Sequence, residues 1–163
     1  MEKPIIFISH TAEEKGVAIK LKDIIVSRYV GAVNVFVSSD PRSIRGGERW
    51  LDKIEKALKN CNLELIICSP DSIKEPWINF EAGAGWIREI PVMPLCHLGL
   101  DFDDLPVPLN LLEAVNLFDE HCLERIFSKI SELNDLFIPN CNATEIINVV
   151  EEYSKNYDIK KLG

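Results

Sequence analysis

No apolar run in this sequence reaches the roughly 18 residues that a membrane-crossing helix needs. The opening stretch MEKPIIFISH passes straight into a short apolar strand, without the hydrophobic core of a secretory leader. The chain is therefore expected to be cytoplasmic, with no membrane partner. Basic residues are scarce and scattered: Lys and Arg total 18 against 26 Asp and Glu, a net charge of −8. With no basic stripe to hold a phosphate backbone, nucleic acid is not an expected direct partner. The five cysteines, Cys61, Cys68, Cys96, Cys122 and Cys141, are odd in number and form no C-x-x-C pair, which argues against a disulfide framework or a zinc site. The histidines show no metal-ligand spacing either, so no metal is expected, and His97 and His121 read as a surface or satisfied histidine. No Gly-x-Gly-x-x-Gly follows the first apolar run and no P-loop is present, so a held dinucleotide cofactor is not expected. A phosphate-accepting receiver domain needs an Asp where this chain has ICSP, residues 67–70.

What is present is ordered alternation. A chain of 163 residues with 47% hydrophobic content is long enough for one full core. It is read as a single domain over 1–163, its tail from about residue 158 being a candidate linker to a further segment. The runs PIIFIS, VNVFVSS, LELIICS and PVMPLCHL are apolar throughout, and AVNLF is a shorter fifth, expected at an edge. Between them, Val17, Ala18, Leu21, Ile24 and Ile25 share one helical face, as do Trp50, Leu51, Ile54, Ala57, Leu58 and Cys61. Two further helices close the chain, one around Leu123, Ile126, Phe127, Ile130 and Leu133, the other around Ile146, Ile147, Val149, Val150 and Tyr153. Apolar strands separated by amphipathic helices predict an α/β fold: a doubly wound, flavodoxin-like, five-stranded parallel sheet in the order 2-1-3-4-5, with helices on both faces. Such sheets bind ligands beyond the C-terminal strand ends where the winding reverses, between strands one and three. Ser9, His10 and Thr11 end strand one, and Ser69 and Pro70 end strand three.

The stretch KEPWINFEAGAGW, residues 74–86, holds the least expected side chain. Pro76 suits a first helical turn, and numbering from it puts Trp77 and Glu81 four apart on one face. Glu81 is then a lone carboxylate on a helix that otherwise reads as buried. Gly83 and Gly85 lie inside the same helix at a cost of about 1 kcal/mol each, so a close approach to this helix is expected. Gly46 and Gly47, with Arg42, Arg45 and Arg49 nearby, could present backbone N–H groups to an anion or could form a solvated surface loop.

Over residues 4–100 these motifs resemble the Toll/interleukin-1 receptor (TIR) domain, particularly its bacterial members. IFISH followed by EEK is similar to the family's first motif. VFVSSDPRSIRGGERWLDKIEKALKNC resembles its second strand, mobile loop and following helix, and LIICSPDSIKEPWINFE its Ser-rich stretch with a Trp four residues before a Glu. The resemblance implies an NAD⁺ glycohydrolase that cuts the ribose–nicotinamide bond. The products would be nicotinamide and either ADP-ribose or a cyclic isomer, with NAD⁺ as substrate and no cofactor. It implies Glu81 as the catalytic carboxylate, with Ser9, His10, Thr11, Arg45, Ser69 and Trp77 toward the substrate. It also implies self-assembly through loop Ser39–Gly47, activation by a sensor domain or protein, and a role in bacterial anti-phage defence. Where many members have Tyr after Phe-Ile-Ser, this chain has His10. Two other readings compete: a non-catalytic TIR interaction module, and a nucleoside deoxyribosyltransferase-like enzyme, to which FEAGAGW is also similar.

Overall fold

Five short strands, of which the first, third and fourth are too apolar to leave either face in water, form the centre of the structure. It is a computed structural model that describes residues 2–38 and 48–163, residues 48–50 by backbone alone. The strands are β1 (Ile5–Ser9), β2 (Asn34–Val37), β3 (Leu63–Cys68), β4 (Val92–Cys96) and β5 (Val115–Asn116). All pairings are parallel and the order is β2-β1-β3-β4-β5, as the alternation of strands and helices predicts. The helices are α1 (Lys15–Arg28), α2 (Glu48–Asn60), α3 (Pro76–Ile87), α4 (Cys122–Asn134) and α5 (Thr144–Leu162).

Strand parity divides the core. Ile6, Ile8, Leu63, Leu65, Ile67, Met93 and Leu95 face α1, α4 and α5 and join their buried stripes in one cluster. The alternate residues turn to the opposite face: Ile66, Cys68, Val92 and Cys96 pack with Ile78 and Ala82 of α3, and Phe7 packs with Ile54, Ala57 and Leu58 of α2. Helices cover both faces, so β3, the middle strand, is buried at all six positions.

Pro94 inside β4 is tolerated for a reason of parity. The carbonyl of Cys96 accepts from Leu117 N on the β5 side, so the nitrogen of Pro94, two residues earlier, faces that side too. β5 pairs only with Leu95 and Cys96, and no ladder bond is lost.

The helix predicted to be buried is only half so. Trp77, Ile78, Glu81, Ala82 and Gly85 form its sheet-facing stripe, whereas Phe80 (61% exposed), Trp86 and Ile87 (82%) face outward. Leu51 of α2 and Leu133 of α4 are likewise partly exposed, because each falls at the margin of its helix's apolar stripe. Of the two α3 glycines only Gly85 meets a close neighbour: a Cβ there would collide with Oε2 of Glu64 and stand 2.7 Å from Cγ2 of Val92. Gly83 has open space around it. No described helix is long and apolar enough to cross a membrane.

Candidate active site

Two hydroxyls are set side by side by the register of the first two strands. Ile8 pairs with Val37, and Ser38 N donates to the Ile8 carbonyl at 2.9 Å, so Ser38 lies beside Ser9 just where the strands end. Ser9 shares the parity of Phe7, which turns it toward α3. Pro76 starts that helix at its first position. In its first turn, Trp77 packs against the α2 side, with its ring 5.4 Å from that of Phe80. One turn further, Glu81 meets the two serines. Ser9 Oγ donates a short hydrogen bond to Oε2 of Glu81, and Ser38 Oγ donates to the same oxygen at 3.3 Å. His10 N donates to Ser38 Oγ at 3.4 Å, and the His10 ring lies 2.5 Å from the Thr11 carbonyl through Nδ1.

Glu81 has no exposed surface at all. Burial is the largest influence on its carboxyl and pushes it up to about 8, while hydrogen bonding from Ser9, Ser38 and Trp77 pulls the other way. No ion pair to Glu81 is found among the described residues. The group is therefore an acid whose proton is held weakly enough to leave near neutrality, in a setting where any cation brought close would displace it.

Beyond the ends of β1 and β3 a polar crevice of about 560 Å³ opens, lined by Thr11, Glu13, Ser69, Asp71, Lys74 and Tyr153 among others. This is the place where the winding of the sheet reverses. Beneath it Glu14 and His97, both buried, are joined at 2.8 Å, and Glu14 also accepts from Thr11 Oγ1 at 3.1 Å.

A family model described as TIR domain matches residues 6–127. The chain belongs to the TIR domain family. It is similar to the 2′ cyclic ADP-D-ribose synthase AbTIR of Acinetobacter baumannii, with 27% identity over 116 residues, 69% of this chain and 42% of the relative. The chain thus spans less than half the length of this curated relative. Its fold is also similar to the crystal structure of the TIR domain of the Toll-related receptor TRR-2 from Hydra magnipapillata. The TM-score is 0.60 at 17% identity, over 79% of this chain and 98% of that one, a likeness of fold.

In this TIR domain the site residues inferred from sequence fall into two groups. Ser9, Trp77 and Glu81 converge, and the His10 backbone joins them through Ser38. Thr11 and Ser69 instead line the neighbouring crevice. Ser69 also closes the turn after β3: its N donates to Ser72 Oγ at 2.7 Å, while Ser72 N donates to Ser69 Oγ at 3.1 Å. Arg45 and the loop Ser39–Gly47 lie outside the described residues.

Two residues of the TIR domain site were missed from sequence. Ser38 was legible in principle, since it ends strand two at the register that pairs it with Ser9. Glu64 was visible as the one charge inside LELIIC, a strand otherwise apolar. It is fully buried in that strand, and burial, then the nearby Glu81, push its carboxyl well above the usual range, with Arg88 opposing.

Proposed function

We propose that this TIR domain cleaves the bond between ribose and nicotinamide in NAD⁺, with Glu81 as the working carboxylate. The observation that carries this reading is Glu81 itself: an acid enclosed at the C-terminal end of β1, four residues after Trp77, on two serine hydroxyls. The nicotinamide of NAD⁺ is a cationic leaving group. When its bond to C1′ breaks, the electron pair goes to the ring nitrogen, which becomes neutral, and positive charge develops on the ribose. No general acid is needed. An anion beside the ribose stabilises that oxocarbenium character, and more strongly in a pocket depleted of water. A nearby cation favours the ionised form of Glu81, so substrate binding itself would shift the acid toward the state that catalysis needs. Ser9 and Ser38 then hold one carboxylate oxygen and aim the other. Cyclisation follows if a hydroxyl or ring nitrogen of the same molecule attacks C1′ before water does; the name of the Acinetobacter relative supports a cyclic product. We place the uncovering of Glu81 in self-association of TIR domains, and the biological setting in anti-phage defence.

The competing reading is an interaction module. Its support is that Glu81 is fully buried, so that its serine contacts alone could serve to fasten α3 to the ends of β1 and β2. The experiment is to give concentrated protein NAD⁺ and separate the products by chromatography. Nicotinamide release is expected, and Glu81→Gln should lower turnover by about 100-fold or more, the scale of losing one preorganised electrostatic contact. Wild-type protein that releases no nicotinamide when assembled would leave the module, and Glu81→Gln that retains full activity would remove Glu81 from the working role. Release of free base from deoxynucleosides but not NAD⁺ would point to the transferase.

A further inference from the structure

Glu64 has no part in the reaction just described, yet its place in the fold is specific. It stands in register with Phe7 on one side and Val92 on the other, so it points to the same face of the sheet as Ser9. On α3, Glu81 and Gly85 are four residues apart, an advance of about 6 Å. Along β1, Phe7 and Ser9 are separated by nearly the same distance, about 6.6 Å. The helix therefore sets Glu81 over Ser9 and Gly85 over Glu64. Only a glycine fits there, because a Cβ would occupy the position of the Glu64 carboxyl.

The two acids differ in their surroundings. Glu81 receives the Ser9 and Ser38 hydroxyls. Neither oxygen of Glu64 has a hydrogen-bond partner among the described residues. The ionisable groups facing Glu64 are Glu81 from α3, Arg88 just past its end and Cys61 just past α2; its strand neighbours Phe7 and Val92 are apolar. Arg88 is committed elsewhere, since its guanidinium donates to the Leu58 carbonyl at the end of α2 and reaches Cys61 Sγ at 4.0 Å.

We propose that Glu64 is a neutral carboxylic acid locked beneath Gly85, which keeps its proton because the single negative charge this interface can hold settles on the carboxylate of Glu81. Two buried carboxyls on one face cannot both ionise cheaply, and they titrate as a pair. The charge settles where donors wait, on Glu81, and Glu64 keeps the proton. The importance of this for turnover rests on the reading of Glu81 as the working carboxylate, whereas the distribution of charge can be measured without any substrate.

The test is a pH titration by carbon NMR of protein labelled at the glutamate side-chain carboxyls, with Glu64→Gln and Glu81→Gln used to assign the two resonances. Glu81 is expected to titrate first, while Glu64 remains in its protonated position through neutral pH. In Glu81→Gln the Glu64 midpoint should fall by about one pH unit or more, because the neighbouring charge is gone. In Glu64→Gln the Glu81 midpoint should stay in place, and Glu64→Leu should give the same result should the glutamine variant fold poorly. A Glu64 resonance already ionised at neutral pH, or a Glu64 midpoint unmoved in Glu81→Gln, overturns the proposal. Either result would do so even if the protein proved to be an active NAD⁺ glycohydrolase, and absence of NAD⁺ cleavage would leave the titration fully readable.

Discussion

At Glu81 burial raises the carboxyl and so makes the fold sensitive to pH. An unfolded chain releases the Glu81 proton near the ordinary value of 4.5, and the folded chain keeps it to about 8. Between those values the folded state binds more protons than the unfolded one. The stability contributed by the neutral acid is therefore fully present below about 4.5 and is lost as pH rises to about 8, at roughly 1.4 kcal/mol per pH unit. Denaturant midpoints of the wild type should fall between pH 5 and 8. Glu81→Gln, neutral at every pH, should flatten that slope and exceed the wild type at pH 8, and the remaining slope belongs to Glu64, which is pushed in the same direction. Equal slopes in the two proteins would show that Glu81 is solvated. On the proposed reading of Glu81 the sign reverses for activity, since the ionised form would do the work: kcat/KM should climb with pH toward about 8.

On the scale of elements, α3 is governed by what lies under it. Its glycines looked alike in sequence, each a cost of about 1 kcal/mol relative to alanine. In the fold they part company. Gly83 meets nothing within 4 Å, so Gly83→Ala should raise the melting temperature by the helix-propensity gain. Gly85→Ala must push the Glu64 carboxyl and Val92 aside in a closed interior, a change of the overpacking kind that costs about 1–3 kcal/mol. Thermal unfolding of the two variants side by side tests this, and a stabilised Gly85→Ala would mean that α3 rides higher above the sheet than described. Nothing in the structure explains why Gly83 is glycine.

Across the whole molecule, long-range polar contacts join the strand ends into one platform. Glu14, just after β1, and His97, just after β4, are 83 residues apart in sequence and meet with essentially no exposed surface. Tyr153 of α5 covers the pair, its ring 5.4 Å from that of His97. Tyr157 on the same helix donates to Asp71 at 2.6 Å, reaching the turn that leads into α3. His97→Ala removes the partner of one oxygen of the buried Glu14 carboxyl, whose other oxygen keeps its bond from Thr11, and should cost about 1–3 kcal/mol. A double-mutant cycle with Glu14→Gln should return a coupling energy of at least about 1 kcal/mol, and additive effects would argue that the two side chains act independently.

Much of this architecture is written in local patterns. Strands apolar on both faces require a sheet covered twice, and helices between them require parallel pairing, so the strand order and the reversal point at β1 and β3 follow from sequence. The spacing of Trp77 and Glu81 and the Pro76 start of α3 are equally local, because helical phase depends only on neighbours along the chain. What the sequence could not determine is which residues meet across elements. Ser38 comes to Glu81 only through the register of β2 on β1. Glu64 comes to Gly85 only because α3 crosses β3 at that point, and the exposure of Phe80 and Ile87 depends on how far the helix is rotated over the sheet. Registers and crossing positions are set by the fit of whole surfaces, summed over many contacts distant in sequence, and so only the tertiary structure could turn a lone carboxylate into one member of a buried pair.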